Sequence, residues 1–323
     1  MQQLPGFSIV IEWENAKLSE FERARRMLEV LGEQLRELRE RLPEPPEIIL
    51  LYDPREMEGK VVREAVEEQL GHPELAVLHF VETEGEDYFQ QKNLGARVAS
   101  QDVVILLDSD VVPRRGWLQA LLEAMADLEN EVVAGQTGMS LESFVGRAFA
   151  LFWIFPPERG GDAIRPTDHF HANNVAFRRE RLLASPFPDL PVARGQSTLL
   201  GQQLAAAGRR MALHEGARVE HAPPNGFAHL VRRAMNQGRD DYLIANERAP
   251  HLYESRIANA LWRFRKRVLR AGKRIVKKRQ TVGFGLVGAL GAAALACLYY
   301  ASYALGLAIT LVDRDWVYRR FPI

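Results

Sequence analysis

Two aspartates separated by a single residue follow directly after a run of aliphatic side chains. Residues 103–107 read Val-Val-Ile-Leu-Leu, and Asp108, Ser109 and Asp110 come next. Carboxylates at this spacing can hold Mg²⁺ or Mn²⁺, since these ions prefer oxygen ligands and often share them with the phosphates of a substrate. Acidic residues also occur often at helix N-termini, where they cap the backbone. The triplet therefore indicates a metal site only if the surrounding elements supply further ligands.

The elements around this triplet alternate between short apolar runs and amphipathic stretches. Strands are predicted over 7–11, 48–52, 76–81 and 103–107, and after the triplet over 131–135, 172–177 and 210–213. Helices are predicted over 18–42, 58–70, 87–99 and 115–129. The pattern is typical of an α/β domain with a mainly parallel sheet flanked by helices. In such sheets ligands bind beyond the carboxyl ends of the strands, which is where Asp108 lies.

Five separated segments resemble, in their order and spacing, the inverting family-2 glycosyltransferases. The segments cover residues 8–16, 47–54, 90–113, 171–182 and 196–221. The resemblance implies the GT-A fold, which is Rossmann-like, over about residues 7–221. It also implies a nucleotide-diphosphate sugar as donor, a glycan or lipid-linked molecule as acceptor, and Mn²⁺ or Mg²⁺ as cofactor.

Carried onto this chain, the family's motifs imply roles for polar residues near the predicted strand ends. Metal binding is implied for Asp108, Asp110 and His221, and nucleotide-sugar binding for Asp53, Lys92, Asn93, Asp108, Asn173 and Asn174. A lone histidine is more often structural, and only its place in the series of segments gives His221 this role. Trp13 lies in a first segment that departs from the family's pattern, so it either stacks on the nucleotide base or belongs to the core.

The residue that would take a proton from the acceptor is not evident. In the family it is an acid at the start of a helix, and here Gln196 and Ser197 stand at that place. Neither is a base at neutral pH. Either another side chain supplies the base, or the acceptor needs none, or the chain binds without catalysing. The candidates nearest in sequence are Asp168, His169, His171 and Asp189. We favour His171 as the base, because imidazole titrates near neutral pH. The alternative is that the His171 imidazole has a purely structural role.

The net charge of zero is the sum of two unlike regions. Residues 1–254 carry a balance of −12 and residues 255–323 a balance of +12. Residues 255–280 contain eleven basic side chains and no acid, and apolar residues recur among them at helical spacing. This pattern predicts a basic amphipathic helix in the headgroup layer of an anionic leaflet. A solvated basic face and a nucleic-acid-binding patch are the alternatives, and the acidity of the larger region speaks against nucleic acid.

An uncharged run of 32 residues, 281–312, follows the basic stretch. It is long enough to cross a bilayer once as a tilted helix, or to turn back near residues 302–306 as a re-entrant hairpin. A buried core helix is the alternative. The positive-inside tendency then places residues 1–280 on the cytoplasmic side of the cell (inner) membrane. Cys297, the single cysteine, excludes a disulfide scaffold and a cysteine-based zinc site.

Together these patterns predict four parts of the chain. They are a GT-A domain over 1–224, a helical juxtamembrane region over 225–280, a transmembrane segment over 281–312 and a short tail over 313–323. The predicted function is a membrane-anchored, metal-dependent glycosyltransferase, and the alternative is a non-catalytic nucleotide-sugar-binding or scaffold subunit. A sugar-phosphate nucleotidyltransferase is disfavoured, because Ile-Glu-Trp-Glu-Asn-Ala at 11–16 is not a glycine-rich basic phosphate loop.

Overall fold

A nine-stranded sheet is the central element of the described part of the chain. Its strands are β1 Phe7–Glu12, β2 Glu47–Tyr52, β3 Val77–Glu82, β4 Val103–Asp108, β5 Val111–Pro113, β6 Val132–Met139, β7 Ile164–Pro166, β8 Asn174–Arg178 and β9 Met211–His221. The strand order is β3-β2-β1-β4-β8-β6-β9-β5, and β7 pairs with β9. Each predicted strand is present, and the predicted α/β class is confirmed.

The sheet changes its pairing mode at β4. Strands β3, β2, β1 and β4 are parallel, whereas β8 pairs antiparallel with both β4 and β6, and β9 pairs antiparallel with β5 and β7. The sheet is therefore mixed, where the sequence predicted a mainly parallel one. Antiparallel neighbours need no crossover helix between them, so the irregular pattern after residue 140 is compatible with the same sheet.

The structure, a computed structural model, describes residues 3–13, 21–157, 160–248 and 254–321. Glu14 and Asn15 of the first segment and the predicted helix start at 18–20 lie outside the described residues. The chain folds into two units. The first comprises residues 1–137, 158–189 and 196–221, and the second comprises 138–157, 190–195 and 222–323.

Twelve α-helices accompany the sheet in the described residues. They are α1 Phe21–Leu38, α2 Gly59–Leu70, α3 Tyr88–Val98, α4 Trp117–Met125, α5 Phe144–Phe152, α6 Arg179–Ala184, α7 Gln196–Ala206, α8 Gly226–Leu243, α9 Ala245–Arg248, α10 Arg256–Lys278, α11 Leu286–Val312 and α12 Trp316–Arg320. The predicted helices at 58–70 and 87–99 match α2 and α3 within a residue at each end. The predicted helix at 115–129 is shorter in the structure, where α4 ends at Met125.

The core of the first unit lies on both faces of the sheet. All residues of β1 and β4 are buried, as expected for aliphatic strands covered by helices on both sides. One face packs against leucines of α1, such as Leu28 and Leu35, and against α2 and α4. The other face packs against α3 and α7, with Phe89 and Leu200 among the contacts. This double cover holds the strand ends in fixed positions.

The second unit is built around the aromatic residues of α5 and α11. Phe149, Phe152 and Tyr299 form one buried cluster with ring centroids 4.7 to 5.7 Å apart. Helix α11 is continuous from Leu286 to Val312, which contradicts the alternative of a hairpin turning at 302–306, since a hairpin would interrupt the backbone hydrogen bonds there.

The apolar residues of α10 divide between two sides of the helix. Ile275 is buried, and Phe264 stacks on Tyr303 with ring centroids 5.4 Å apart. Leu269 and Val276 are 59% and 65% exposed. The single apolar face that the sequence predicted is therefore two faces, one packed on the protein and one exposed.

We expect the Gly95→Ala variant to be less stable than the wild type. A Cβ at this position of α3 would lie 2.3 Å from Val10 Cγ1 and 3.1 Å from Leu51 Cδ1, so the helix would have to move away from the sheet. Overpacking of this kind costs about 1–3 kcal/mol, which urea denaturation followed by circular dichroism would measure. The matched control is Gly272→Ala on α10, where a Cβ meets nothing within 4 Å. Equal stability of Gly95→Ala and the wild type would contradict the close approach of α3.

Candidate functional site

One edge of the sheet collects the polar residues that the sequence singled out. Parallel strands β1 and β4 end side by side, with Glu12 paired to Asp108. Strand β8 runs in the opposite direction, so its first residue, Asn174, lies opposite Leu107 near the end of β4. Strand β9 ends at His221, opposite Val111. The change from parallel to antiparallel pairing thus places residues far apart in sequence at the same edge.

Two of the predicted metal ligands, Asp110 and His221, approach each other closely. His221 Nε2 lies 3.4 Å from Asp110 Oδ2, and both side chains are less than a tenth exposed. Arg23 of α1 fixes the two segments by donating to the backbone oxygens of Asp110 and Glu220, at 2.7 Å each. Arg114 adds an ion pair to the Glu220 carboxylate at 2.6 Å. Arg23 was not among the site residues predicted from the sequence, because a single arginine in a helix gives no signal for this role.

Asp108 has a different environment from Asp110. The ammonium group of Lys92 lies 2.7 Å from Asp108 Oδ1, and the Tyr88 hydroxyl lies 2.8 and 2.9 Å from its two carboxylate oxygens. Lys92 is completely buried and also lies 4.6 Å from the centre of the Tyr88 ring. The Asp87 side chain accepts from the backbone N–H groups of Phe89 and Gln90 and so caps α3, which positions Tyr88 and Lys92.

Tyr88 was not among the site residues predicted from the sequence. It precedes Lys92 by four residues on α3, and residues at this spacing share a helix face. That spacing was a usable signal once Lys92 was a candidate.

The predicted set of three metal ligands is not assembled as one cluster. Among the described residues, no group of three or more His, Cys, Asp or Glu side chains is arranged to hold a metal ion. The Asp108 carboxylate accepts hydrogen bonds from Lys92 and Tyr88. Asp110 and His221 supply a carboxylate oxygen and an imidazole nitrogen, which is a donor set that suits Mn²⁺ when a substrate's phosphates complete it.

Two of the asparagines predicted to bind the nucleotide sugar form hydrogen bonds within the protein. The Asn174 amide accepts from the Trp117 indole at 2.8 Å and donates to the Gln136 and Ala217 carbonyls at 3.0 Å, and its side chain is fully buried. Asn93 donates to and accepts from the Phe187 backbone, at 2.9 and 3.0 Å. Their sugar-binding roles stay predictions, and in this structure both amide groups bond to the protein.

Asn173 is also buried, and its side-chain oxygen accepts from the Thr137 hydroxyl at 2.9 Å. It lies one residue before β8, at the same edge as Asp108. Its sugar-binding role stays a prediction, since this hydrogen bond uses only part of the hydrogen-bonding capacity of the amide.

Trp13 belongs to the hydrophobic core. It is 1% exposed, donates its indole N–H to Met57 Sδ at 3.1 Å and packs edge-on against Phe21 at 6.3 Å. An enclosed ring presents no face for a nucleotide base, so the structure supports the core alternative for Trp13.

Asp53 follows β2 at the same edge of the sheet. Its carboxylate accepts from Arg55 Nε at 2.9 Å and is held by a second guanidinium nitrogen of the same arginine. Arg55 is 66% exposed, so this pair lies at the surface. The assignment of Asp53 to the base or ribose stays a prediction.

The candidate bases differ in their surroundings. Burial, with smaller contributions from the positive charges of His169 and His221, lowers the pKa of His171 to about 4. His171 is therefore neutral at pH 7 and able to accept a proton, but it is a weak base. Asp189 is exposed. Gln196 begins α7 and is fully buried, and its amide is not a base at neutral pH.

Asp168 and His169 form an exposed pair with His169 Nδ1 2.9 Å from Asp168 Oδ1. The hydrogen bond from His169 holds the pKa of Asp168 below its usual value. The identity of the base stays open among these candidates.

The mixed sheet with acidic residues at its strand-end edge defines the first unit as a GT-A-type α/β domain. The family model "Glycosyl transferase family 2" matches residues 24–185, about half of the chain. The chain belongs to this family, and the resemblance found in its sequence is confirmed.

Two relatives illustrate how far sequence similarity extends. The chain is 40% identical over 63 residues to the pre-mycofactocin glycosyltransferase of Mycobacterium tuberculosis, a match covering 20% of this chain and 13% of that protein. It is 26% identical over 148 residues to the glucosyl-dolichyl phosphate glucuronosyltransferase of Haloferax volcanii, covering 43% and 45%. The chain thus spans less than half the length of the curated relatives it matches.

Two solved structures show the same fold. The mannosyltransferase PcManGT from Pyrobaculum calidifontis, solved with GDP-mannose and Mn²⁺, aligns with a TM-score of 0.58 at 19% identity, over 96% of this chain and 88% of that one. The S. aureus protein TarS, solved with UDP-GlcNAc, aligns with a TM-score of 0.52 at 11% identity, over 93% and 90%. These similarities support the fold.

We expect the Lys92→Met variant to be markedly destabilised. Removing the buried ammonium group leaves the Asp108 carboxylate buried without its cation, which costs about 3–5 kcal/mol in comparable pairs. Urea denaturation would measure the loss, and adding Asp108→Asn should recover part of it. The control is Lys60→Met, since Lys60 is 81% exposed and its pair with Glu64 is expected to contribute under about 1 kcal/mol. A loss in Lys92→Met no greater than in the control would refute the role of this pair.

We expect His171 to make the free energy of unfolding depend on pH between about 4 and 6.5. Its folded pKa is lowered to about 4, so the unfolded chain binds more protons in this window. Stability therefore rises with pH through the window and is fully restored above it. Denaturation of His171→Asn at several pH values should give a flatter profile than the wild type. The exposed His72→Asn is the control, and identical profiles for His171→Asn and wild type would contradict the lowered pKa of this imidazole.

Proposed function

We propose that this chain is a membrane-associated, divalent-metal-dependent transferase that moves a sugar from a nucleotide-diphosphate sugar to a glycan or lipid-linked acceptor. The observation that carries the proposal is the approach of Asp110 and His221 at the strand-end edge, 3.4 Å apart. Family membership supports a nucleotide-sugar donor. The structural neighbours solved with GDP-mannose and Mn²⁺ and with UDP-GlcNAc support the same class of donor.

Asp110 and His221 are the residues that would hold the metal ion. Sugar transfer leaves a diphosphate with developing negative charge, and a bound divalent cation supplies the neutralising charge. Arg23 holds Asp110 and the end of β9 in place through their backbone oxygens, so the two ligands are preorganised. Lys92 and Tyr88 keep Asp108 fixed beside them. Asp53, at the end of β2, would contact the base or ribose of the donor.

Proton removal from the acceptor is assigned to His171 within this proposal. It immediately precedes the loop to β8 and is neutral above pH 4, so it can accept the hydroxyl proton. Because a pKa near 4 makes a weak base, we expect the acceptor hydroxyl to lose its proton late, when the bond to the sugar is largely formed.

A second candidate function is a non-catalytic nucleotide-sugar-binding or scaffold subunit. The observation that favours it is Gln196, a buried amide at the helix start where the family carries its catalytic acid. The two candidates share the donor site and differ in turnover.

The C-terminal region supports membrane association. Among the described residues, Leu286–Val312 is the helix that is long and apolar enough to cross a membrane. The basic residues of 255–280 favour the anionic cytoplasmic leaflet, which would put the donor site on the cytoplasmic side. We propose that residues 1–224 form the transfer domain, apart from residues 138–157 and 190–195, which pack in the second unit, and that the chain from residue 225 onward is membrane-associated.

We expect UDP or GDP to bind more tightly when Mn²⁺ is present. Isothermal titration of each nucleotide with and without Mn²⁺ would measure this difference in Kd. In Asp110→Asn the Mn²⁺-dependent gain in nucleotide affinity should fall by about 100-fold or more. Even residues that only support metal ligands contribute about 10–100-fold to metal affinity or activity. Asp168→Asn is the matched control, because Asp168 is 83% exposed. If Mn²⁺ changes neither nucleotide's Kd, the proposed metal site is wrong.

Turnover separates the two candidate functions. A release assay for UDP or GDP from sugar nucleotides, run with membrane lipid extract as acceptor source, should show product that disappears in Asp110→Asn. Metal-dependent binding without any product release would favour the binding subunit.

A further inference from the structure

Helix α11 has two sides of opposite character. Its exposed side is apolar along the whole helix, with residues at intervals of one, three or four: Leu286, Val287, Leu290, Ala294, Cys297, Ala301, Leu305, Ala308, Leu311 and Val312. Its inner side carries tyrosine hydroxyls bonded to polar groups. Tyr299 donates to Gln237 at 2.7 Å and Tyr303 donates to Asp241 at 2.8 Å.

Asp241 is the centre of a buried charged cluster against this inner side. It is 2% exposed and pairs with Arg263 at 3.0 Å and Arg267 at 2.7 Å, both from α10. The neighbouring Asp240 pairs with Arg239 at 2.8 Å, and both side chains are also buried. Tyr303 therefore lies directly against an ion cluster contributed by α8 and α10.

The position of this cluster conflicts with a helix that crosses a bilayer. Crossing the hydrocarbon core takes about 20 helical residues. Every stretch of that length within Leu286–Val312 contains both Tyr299 and Tyr303. A crossing α11 would therefore carry Asp241 and its two arginines to membrane depth, where charged side chains are strongly disfavoured. Helices α8 and α11 pack closely at Gly306, because a Cβ added at this glycine would lie only 2.2 Å from the Met235 carbonyl oxygen.

Helix α10 adds a surface that suits anionic lipid. Its exposed apolar residues are Ile257, Leu261, Val268, Leu269 and Val276. Its exposed basic residues are Arg265, Lys266, Arg270, Lys273, Lys277 and Lys278. Residues 255–280 contain no acid, so this side carries a concentrated positive charge beside apolar groups. Such a helix lies in the interface with its apolar side among the acyl chains and its cations at the headgroups.

We propose that the second unit is monotopic: α10 and the exposed side of α11 bind the surface of an anionic bilayer, and α11 does not cross it. The inference deepens the membrane association proposed above and replaces the transmembrane segment predicted for 281–312. The partner of this surface is a bilayer rich in anionic phospholipid, because the exposed charges of α10 are all positive. Both ends of α11 then lie on the same side of the membrane.

Cysteine accessibility tests the proposal directly on the full chain. In a Cys297→Ser background, Gln280→Cys and Arg314→Cys each place one thiol at an exposed position flanking α11. A membrane-impermeant maleimide is applied to intact spheroplasts and to everted vesicles of the expressing cells. We expect both thiols to react in the same preparation. Reaction of one thiol in each preparation would show that α11 crosses and would overturn the proposal.

Flotation of the wild-type chain with vesicles provides a second readout that needs no cysteine variant. Binding should be at least about tenfold stronger to phosphatidylcholine mixed with an equal part of phosphatidylglycerol than to phosphatidylcholine, since each basic residue near an anionic surface adds to the attraction. The triple variant Lys266→Glu, Lys273→Glu and Lys277→Glu reverses three of these charges and should abolish the preference for the anionic vesicles. Lys60→Glu is the control, since Lys60 is on α2 in the first unit.

A stable dimer in solution that does not float with either vesicle would show that a second copy covers these surfaces, and it would overturn the proposal. Neither readout uses sugar transfer, so a failed metal or turnover test leaves this inference unaffected. Conversely, a crossing α11 would leave the proposed transferase activity in place.

Discussion

The Lys92 ammonium group and the Asp108 carboxylate meet 2.7 Å apart where water is excluded. A buried charge is tolerated only when it is paired and hydrogen-bonded, so this contact constrains both α3 and the end of β4. The Tyr88 hydroxyl completes the arrangement around Asp108. Asp110, two residues further on, lies with its carboxylate 3.4 Å from the His221 imidazole. The geometry of the strand-end edge therefore depends on the buried pair.

The change of pairing mode at β4 explains how distant segments share this edge. Parallel strands contribute their last residues, as β1 and β4 do, whereas antiparallel β8 contributes its first. The β5–β9 pairing then brings His221 beside Asp110, more than a hundred residues away in sequence. Asn174 and Asn93 tie the neighbouring loops by bonding to backbone and indole groups. Both amides are buried, so these hydrogen bonds stabilise the loops around the strand-end edge.

Buried polar groups are also hydrogen-bonded in the second unit, where they divide α11 into a bonded inner side and an apolar outer side. The inner side of α11 is held by the hydroxyls of Tyr299 and Tyr303, which reach Gln237 and Asp241. Its outer side is left apolar, and α10 is left with basic residues exposed. Composition by itself cannot separate these two sides, because a tyrosine or serine in the uncharged run adds the same to its composition whether its side chain faces the protein or lies exposed. The neutral total charge is likewise the sum of an acidic region, residues 1–254, and a basic region, residues 255–323.

The amino-acid sequence determined the α/β class, the strand that ends in Asp108, most element positions and the family, because hydrophobic periodicity and motif order are local or sequential properties. It did not determine which candidate residues meet. The core position of Trp13, the role of Tyr88, the contact between Asp110 and His221, and the engagement of Asn174 all depend on strand pairing and helix packing. The tertiary structure alone decided them, because a side chain's chemistry is set by the neighbours that exclude water from it, and those neighbours come from distant parts of the chain.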